Sequence, residues 1–167
     1  IREIAKAAGS RQLVAGQVAD LEGEGKKLSV AGLRYIHERK TSALLCCSVR
    51  LGGMSANCTP AQLKALTDFG YHVGLAFQVI DDVLDYTGDA DALGKNLGDD
   101  LHEGKATLPL IHAMAHADDT LKQRLRAIIE QGDGSAMPDV LAAIEAAGSL
   151  QYSIDKAQQH AQAAKAA

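Results

Sequence analysis

The sequence of 167 residues contains no tryptophan, only three prolines and only three cysteines. Few prolines leave long stretches free to form helices, because proline interrupts a helix interior. The cysteines, Cys46, Cys47 and Cys58, are an odd number without CxxC spacing, which argues against a disulfide framework and against a zinc site. We therefore expect reduced and mostly buried thiols.

The sequence also lacks an excess of positive charge and lacks long apolar runs. A net charge of −4 at pH 7 disfavours nucleic acid as a partner of the whole surface. No run of about 18 apolar residues occurs and the first residues are not signal-like, so we expect no stable membrane insertion and a cytoplasmic location. Abundant alanine and leucine favour an all-α fold, which we expect to form a single domain of residues 1–167.

The stretch FQVIDDVLDY at residues 77–86 places three carboxylates within five residues. Apolar residues before it recur at steps of three and four, which predicts one face of a helix. At about 3.6 residues per turn, Asp81 and Asp85 lie one turn apart, with Asp82 beside them and Gln78 one turn earlier. Like charges at this spacing destabilise a helix, which suggests a cation that offsets them. Oxygen ligands without His or Cys suit Mg²⁺.

The alternative is that these aspartates form a solvated helix end, because short acidic runs usually lie on the surface. Two Gly-Lys pairs follow the aspartates and contain Lys95 and Lys105. Ammonium groups near a magnesium ion share the negative charge of a diphosphate. The combination therefore favours a site for a metal-bound diphosphate.

Two further pairs of polar residues precede the aspartates. Gln17 and Asp20 share a helix face before a glycine-rich acidic turn, which by itself indicates capping and solvation. Lys40 and Thr41 stand in the middle of a predicted helix, where a lysine usually reaches outward to solvent. Neither pair indicates a site without further information.

Capping residues predict the helix boundaries. Ser29 is a plausible N-cap of a helix that we expect to end at Gly52–Gly53, and Pro60 opens the next one. We expect Asp99 or Asp100 to cap a helix that starts near them, and Pro109 lies just inside the following helix. Three more amphipathic helices are predicted at about 118–131, 137–147 and 150–166.

The motif FQxxDDxxD, followed by LGK, GDD and EGKxTLP, resembles the second aspartate-rich region of trans-isoprenyl diphosphate synthases, the polyprenyl synthetase family. GQxxDL at residues 16–21 and the Lys-Thr pair at residues 40–41 are similar to further motifs of this family. The resemblance covers essentially all of the chain but about the C-terminal half of a family member. It implies the C-terminal part of an isoprenoid synthase-type helical bundle. The implied enzyme condenses an allylic diphosphate with isopentenyl diphosphate, uses Mg²⁺ and forms a homodimer.

The resemblance also implies a role for particular residues. The implied metal ligands are Asp81, Asp82 and Asp85, and the implied catalytic residues are Lys40, Lys95 and Gln78. The residues implied to bind substrate are Gln17, Asp20, Lys40, Thr41, Phe77, Gln78, Lys95 and Lys105. In the family the Lys-Thr pair lies where its helix is distorted, so we expect a distortion at Lys40. Phe77, and with it Tyr71, would line an apolar tunnel for the growing chain, or would be core residues.

Other observations leave the activity of this chain and its product open. Residue 1 is Ile, and residues 2–19 already have helical character, so the chain is expected to begin inside a domain. No other DDxxD occurs in residues 1–80, so we expect the chain alone to be inactive. The alternatives are a terpene cyclase and a non-catalytic helical subunit of a heteromeric synthase. Residues 9–56 resemble short-chain farnesyl or geranylgeranyl synthases, whereas residues 94–150 resemble the octaprenyl type.

Overall fold

A computed structural model describes residues 1–87 and 98–167 of the chain. Within these ranges every regular element is helical, which confirms the all-α prediction. The α-helices are α1 (Arg2–Ala7), α2 (Leu13–Gly23), α3 (Val30–His37), α4 (Ala43–Ser55), α5 (Pro60–Thr87), α6 (Asp99–His102), α7 (Leu108–His116), α8 (Asp119–Gln131), α9 (Met137–Ala146) and α10 (Ser149–Ala166). A π-helix (Glu38–Ser42) joins α3 to α4, and a 3-10 helix (Gly134–Ala136) precedes α9.

The described residues divide into two compact units. The first unit comprises Ile1–Asp20, Arg34–Gln78 and Lys156–Ala167. The second unit comprises Leu21–Leu33 and the described residues of Val79–Asp155. The prediction of a single domain stays a prediction.

Local capping explains where several helices begin. The Ser29 hydroxyl accepts a hydrogen bond from the Gly32 amide at 3.1 Å, which confirms Ser29 as an N-cap. Thr59 and Gln62 form a reciprocal capping box before α5, in which the Gln62 amide donates to Thr59 Oγ1 at 3.3 Å and the Thr59 amide donates to Gln62 Oε1 at 2.9 Å. Pro60 is the first residue of α5 and Pro109 lies in the first turn of α7, as predicted.

Two predicted boundaries are wrong. Helix α4 continues past Gly52–Gly53 to Ser55, and a Cβ on Gly53 would overlap the side chain of Leu66. Gly53 therefore allows close packing instead of ending the helix. The N-cap of α6 is Gly98, which has a φ of 81° and receives no side-chain capping bond, so neither Asp99 nor Asp100 caps this helix.

The second unit contains the larger set of fully buried apolar side chains. The buried residues that line its helices include Leu101, Leu110, Leu125, Val140 and Ile144. Burial of such side chains is the main favourable term in folding, at about 1.5–3 kcal/mol each.

The three predicted C-terminal helices are confirmed as α8, α9 and α10.

The structure also bears on the cysteine and membrane predictions. Cys46, Cys47 and Cys58 are all free, and Cys47 is buried among helices of the first unit. Among the described helices, none combines the length and the apolar character that crossing a membrane requires.

Candidate functional site

A π-helix lies at the predicted distortion in the first unit. It spans Glu38–Ser42 and includes Lys40 and Thr41, so the predicted distortion at Lys40 is confirmed. A π-turn is rare and is often found at functional sites. The continuous helix expected after Ser29 is therefore two α-helical segments on either side of a wider turn.

Two glycines allow neighbouring helices to approach this π-helix closely. A Cβ on Gly16 of α2 would overlap the backbone nitrogen of Lys40, and a Cβ on Gly74 of α5 would lie 2.5 Å from the Cα of Ser42. Ser42 is only 1% exposed, and its hydroxyl donates to the Tyr71 carbonyl at 2.7 Å. Backbone contacts on two sides therefore hold the wide turn in place.

Lys40 and Asp20, which the sequence placed in separate motifs, form an ion pair in the first unit. The Lys40 ammonium donates to Asp20 Oδ2 at 2.6 Å, and both side chains are partly buried. An ammonium has three donors, so Lys40 keeps donor capacity for a second oxygen ligand. Gln17 is exposed on α2, one turn before Asp20, and Thr41 is half-buried in the π-helix.

A polar network beside the π-helix was not predicted from the sequence. Tyr71 Oη donates to Glu38 Oε1 at 2.6 Å, and Arg34 Nε donates to the same oxygen at 2.8 Å. Burial alone would raise the pKa of Glu38, but the hydrogen bonds from Tyr71 and Arg34 outweigh it and lower that pKa. Burial, and then the Glu38 carboxylate, raise the pKa of Tyr71. Tyr71 thus anchors the π-helix through a charge-assisted bond.

One contact of this network could have been predicted from the sequence. Arg34 and Glu38 are four residues apart, the spacing of a helical ion pair. The sequence predicts Tyr71 as a residue that lines an apolar tunnel or as a core residue, and its hydroxyl lies in a polar cluster with Arg34 and Glu38. The long-range partner could not be read from local spacing.

In the second unit, two of the three motif aspartates bind helix backbones. Asp82 is 6% exposed, and its Oδ2 accepts from the Leu108 amide at 3.1 Å, at the start of α7. Asp85 is 8% exposed, and its Oδ1 accepts from the Asp100 amide at 3.2 Å, in the first turn of α6. Carboxylates at helix N-termini stabilise the unpaired amides and the positive end of the helix dipole.

Tyr86, the last residue of the motif, is also buried in the second unit. Thr107 Oγ1 donates to its hydroxyl at 2.9 Å. Burial, together with the negative charges of Asp85 and Asp82, raises the pKa of Tyr86, so its phenol stays protonated. Tyr86 and Asp82 therefore connect α5 to the chain at the start of α7.

Asp81 is the most exposed of the three aspartates, with intermediate burial. Within residues 1–87 and 98–167, no three His, Cys, Asp or Glu side chains form a group that could hold a metal ion. Magnesium usually takes only one or two carboxylates and completes its shell with water and substrate phosphates. The hard oxygen donors of Asp81 and Asp85 fit such a cation, while Asp82 is engaged by α7.

The remaining predicted residues lie in different parts of the structure. Phe77 and Gln78 belong to the first unit, where Phe77 is 59% exposed and Gln78 is partly buried. Lys105 belongs to the second unit, where its ammonium lies 2.5 Å from Glu103 Oε2 and 3.8 Å from Glu24 Oε1. Lys95 lies outside the described residues.

The described residues define an all-helical protein with a carboxylate motif and with a lysine held on a π-turn. A profile of the polyprenyl synthetase family matches residues 3–147. The chain belongs to the polyprenyl synthetase family.

Particular relatives are similar to the chain over most of its length. The octaprenyl diphosphate synthase of Escherichia coli (strain K12) is 47% identical over 136 residues, which are 81% of this chain and 42% of that protein. The farnesyl diphosphate synthase of Geobacillus stearothermophilus is 42% identical over 127 residues, which are 76% of this chain and 43% of that protein. The chain thus spans less than half the length of these curated relatives.

A solved structure shows the same fold. The polyprenyl synthase from Caulobacter crescentus CB15, complexed with calcium and isoprenyl diphosphate, superposes with a TM-score of 0.91 and 36% sequence identity. The match covers 99% of this chain and 51% of that one. The predicted isoprenoid synthase-type helical fold is confirmed, for the part of the fold that the chain spans.

Proposed function

We propose that this chain carries one part of a trans-prenyltransferase site, in an enzyme that joins an allylic diphosphate to isopentenyl diphosphate. The observation that carries the proposal is family membership, with relatives named octaprenyl and farnesyl diphosphate synthase at more than 40% identity. The DDxxD carboxylates and the lysine on the π-helix supply the chemistry that such a reaction needs.

The proposed cation is Mg²⁺, held by Asp81 and Asp85. The similar Caulobacter crescentus structure contains calcium with isoprenyl diphosphate, and both cations prefer oxygen ligands. When bound, such a cation acts as a Lewis acid and neutralises charge on the diphosphate oxygens. Asp82 supports the site indirectly, because it anchors α7 to the same stretch of α5.

Lysines and Gln78 orient and neutralise the diphosphate in this proposal. Asp20 holds the ammonium of Lys40 on the π-helix, and the remaining donors of Lys40 bind a diphosphate oxygen. Lys95 and Lys105 bind further oxygens, and the Gln78 amide donates to one of them. Hydrogen-bond donors that are already in position need not reorganise when negative charge develops on the leaving diphosphate.

The proposed reaction breaks a carbon–oxygen and a carbon–hydrogen bond, and it forms a carbon–carbon and an oxygen–hydrogen bond. The allylic carbon–oxygen bond breaks, and its electron pair leaves with the diphosphate. The double bond of isopentenyl diphosphate attacks the allylic cation and forms the new carbon–carbon bond. A proton then passes to the released diphosphate, which leaves a product five carbons longer. Gln17, Thr41 and Phe77 complete the cavity around the substrate.

We also propose that the enzyme is a cytoplasmic homodimer. In the first unit, α2 exposes Val14 and Val18, one helical turn apart, and each is almost half exposed. Apolar side chains in this pattern suit contact with another helix. Sedimentation of the chain should show a mass of two chains, and a Val18→Glu variant should sediment as one.

Calorimetry with inorganic diphosphate tests the proposed site. We expect a binding component that requires Mg²⁺ and that is lost in Asp81→Asn and weakened at least about tenfold in Lys40→Gln. The control is Asp68→Asn, which removes a carboxylate paired with Lys64 from the same helix. Magnesium-dependent binding that persists in Asp81→Asn would show that Asp81 does not hold the metal.

A further inference from the structure

A small cavity in the second unit has an unusual charge composition. Its volume is about 30 Å³, and apolar side chains such as Leu28 and Met114 form part of its wall. Three cations also line it, Lys26, Lys27 and Arg126. None of these three residues has been assigned to prenyl transfer.

The central observation is the environment of the Arg126 guanidinium. Its Nε is buried and has no hydrogen-bond partner within the described part of the chain. A guanidinium remains protonated and offers only donors, so a buried Nε–H without an acceptor is costly. Such a group indicates an acceptor that the protein itself does not provide.

The charges around the cavity favour an anion over water as that acceptor. Glu130 is the carboxylate that lines the cavity, so its lining has an excess of two positive charges. Lys26 and Lys27 are exposed at this position and make no side-chain ion pair with another described residue. A water molecule would satisfy the Nε–H, whereas an oxyanion would also offset the excess charge.

Backbone packing forms the cavity before any ligand binds. The Gly25 amide donates to the Gly104 carbonyl at 2.9 Å, and both glycines have positive φ, 63° and 70°. A Cβ on Gly104 would lie 3.0 Å from the carbonyl oxygen of Ile129. The loop after α2, the turn after α6 and the end of α8 thus pack without room for a side chain at residue 104, which reduces the cost of ordering on binding.

We propose that Arg126, Lys26 and Lys27 form a second anion site, which binds a phosphate group without a metal. The volume of about 30 Å³ exceeds the roughly 10–15 Å³ that a cavity needs to hold one water molecule, so it admits one phosphate oxygen beside Arg126. The other oxygens face the two lysines at the mouth. The ligand is inorganic phosphate or the terminal phosphate of a diphosphate. This site goes beyond the proposed prenyl transfer and requires neither Asp81 nor Lys40.

Calorimetry without magnesium tests this site, with inorganic phosphate and inorganic diphosphate as separate probes. We expect binding that Arg126→Gln weakens at least about tenfold, because a charge-assisted hydrogen bond is lost. Glu130→Gln should strengthen binding, because it removes the opposing charge. The matched control is Arg124→Gln, which removes the same charge from the same helix, where Arg124 pairs with Asp139 at 2.5 Å.

Further variants distinguish a specific anion site from nonspecific binding. Arg126→Lys keeps the charge but lacks the Nε donor, so we expect weaker binding with an unchanged circular dichroism spectrum. Asp81→Asn should leave this metal-free binding unchanged. The metal-free binding therefore tests the second anion site separately from the proposed transferase site. Equal binding by Arg126→Gln and the unaltered chain, equal losses in Arg124→Gln, or no binding of either probe would overturn the proposal. Tighter binding of diphosphate than of phosphate would identify the diphosphate end as the ligand.

Discussion

At the scale of single residues, the three aspartates of one motif have different environments. Asp82 and Asp85 are buried and accept hydrogen bonds from helix backbones, whereas Asp81 is more exposed. The motif therefore combines cation binding with the anchoring of two helix starts. Substitution of each aspartate should separate these two roles.

Substitution of Asp82 should act mainly on stability. Asp82→Ala leaves the buried Leu108 amide without its acceptor, which we expect to lower the free energy of unfolding by about 1–3 kcal/mol. Asp68→Ala, on the exposed side of the same helix, should change it by less than about 0.5 kcal/mol. Urea unfolding followed by circular dichroism measures both. An Asp82→Ala chain as stable as the control would contradict the anchoring role.

At the scale of elements, the π-helix depends on glycines in other helices. A Cβ on Gly16 would overlap the backbone at Lys40 and lie 2.8 Å from the carbonyl carbon of Arg39. Backbone atoms cannot move aside as a flexible side chain can. The geometry of Lys40 is therefore set by tertiary contact with α2 as well as by its own helix.

Alanine at Gly16 tests this dependence. Gly16→Ala should lower the free energy of unfolding by about 1–3 kcal/mol, because the added methyl group overpacks the contact. It should also weaken magnesium-dependent diphosphate binding, because Lys40 is displaced.

The control for this variant is Gly52→Ala in α4, where a Cβ meets no atom within 4 Å. There alanine should stabilise the helix by up to about 1 kcal/mol, because it restricts the unfolded chain. Opposite signs of the two changes in urea unfolding support the packing argument. A stabilising Gly16→Ala would refute it.

We expect a histidine pair to make the stability of the first unit depend on pH. The Nδ1 atoms of His72 and His160 lie 3.0 Å apart, so one ring donates to the other in the neutral pair. Burial, and then the nearby His72, Arg34 and Lys156, lower the pKa of His160. The unfolded chain therefore binds more protons in acid, and stability is lost as the pH falls below about 6.5.

Urea unfolding at about pH 7.5 and about pH 5.5 measures this loss. The unaltered chain should be less stable at the lower pH, and His160→Gln should show a smaller difference between the two conditions. His102→Gln, which removes an exposed histidine from the second unit, should keep the difference of the unaltered chain. An equal difference in His160→Gln would exclude the pair as its source.

At the scale of the whole molecule, we expect the chain to bind diphosphate without forming product. The sequence contains one DDxxD motif, at residues 81–85. Its match covers less than half of the length of the two curated relatives. Incubation with an allylic diphosphate, labelled isopentenyl diphosphate and Mg²⁺ should incorporate no label. The octaprenyl diphosphate synthase of Escherichia coli serves as the positive control. Label in a prenyl product from the chain alone would contradict this expectation.

Features that depend on nearby residues could be predicted from the sequence, whereas features that depend on a partner in another helix could not. Ser29 and Pro60 marked helix starts correctly because capping depends on nearby residues. The roles of Gly53 and Asp82 could not be predicted, because each is defined by a partner on another helix. The π-helix followed from the family resemblance, whereas spacing alone predicted a regular helix there.

Tyr71 gives the protein an optical probe of its own. The chain has no tryptophan and four tyrosines, so its ultraviolet emission comes from tyrosine alone. The Tyr71 phenol donates to the Glu38 carboxylate, and such a bond quenches emission by drawing the proton toward the acceptor. Any ligand that loosens the turn around Lys40 should therefore brighten the protein. The contribution of Tyr71 to the fluorescence reports on that turn without a dye or an added label.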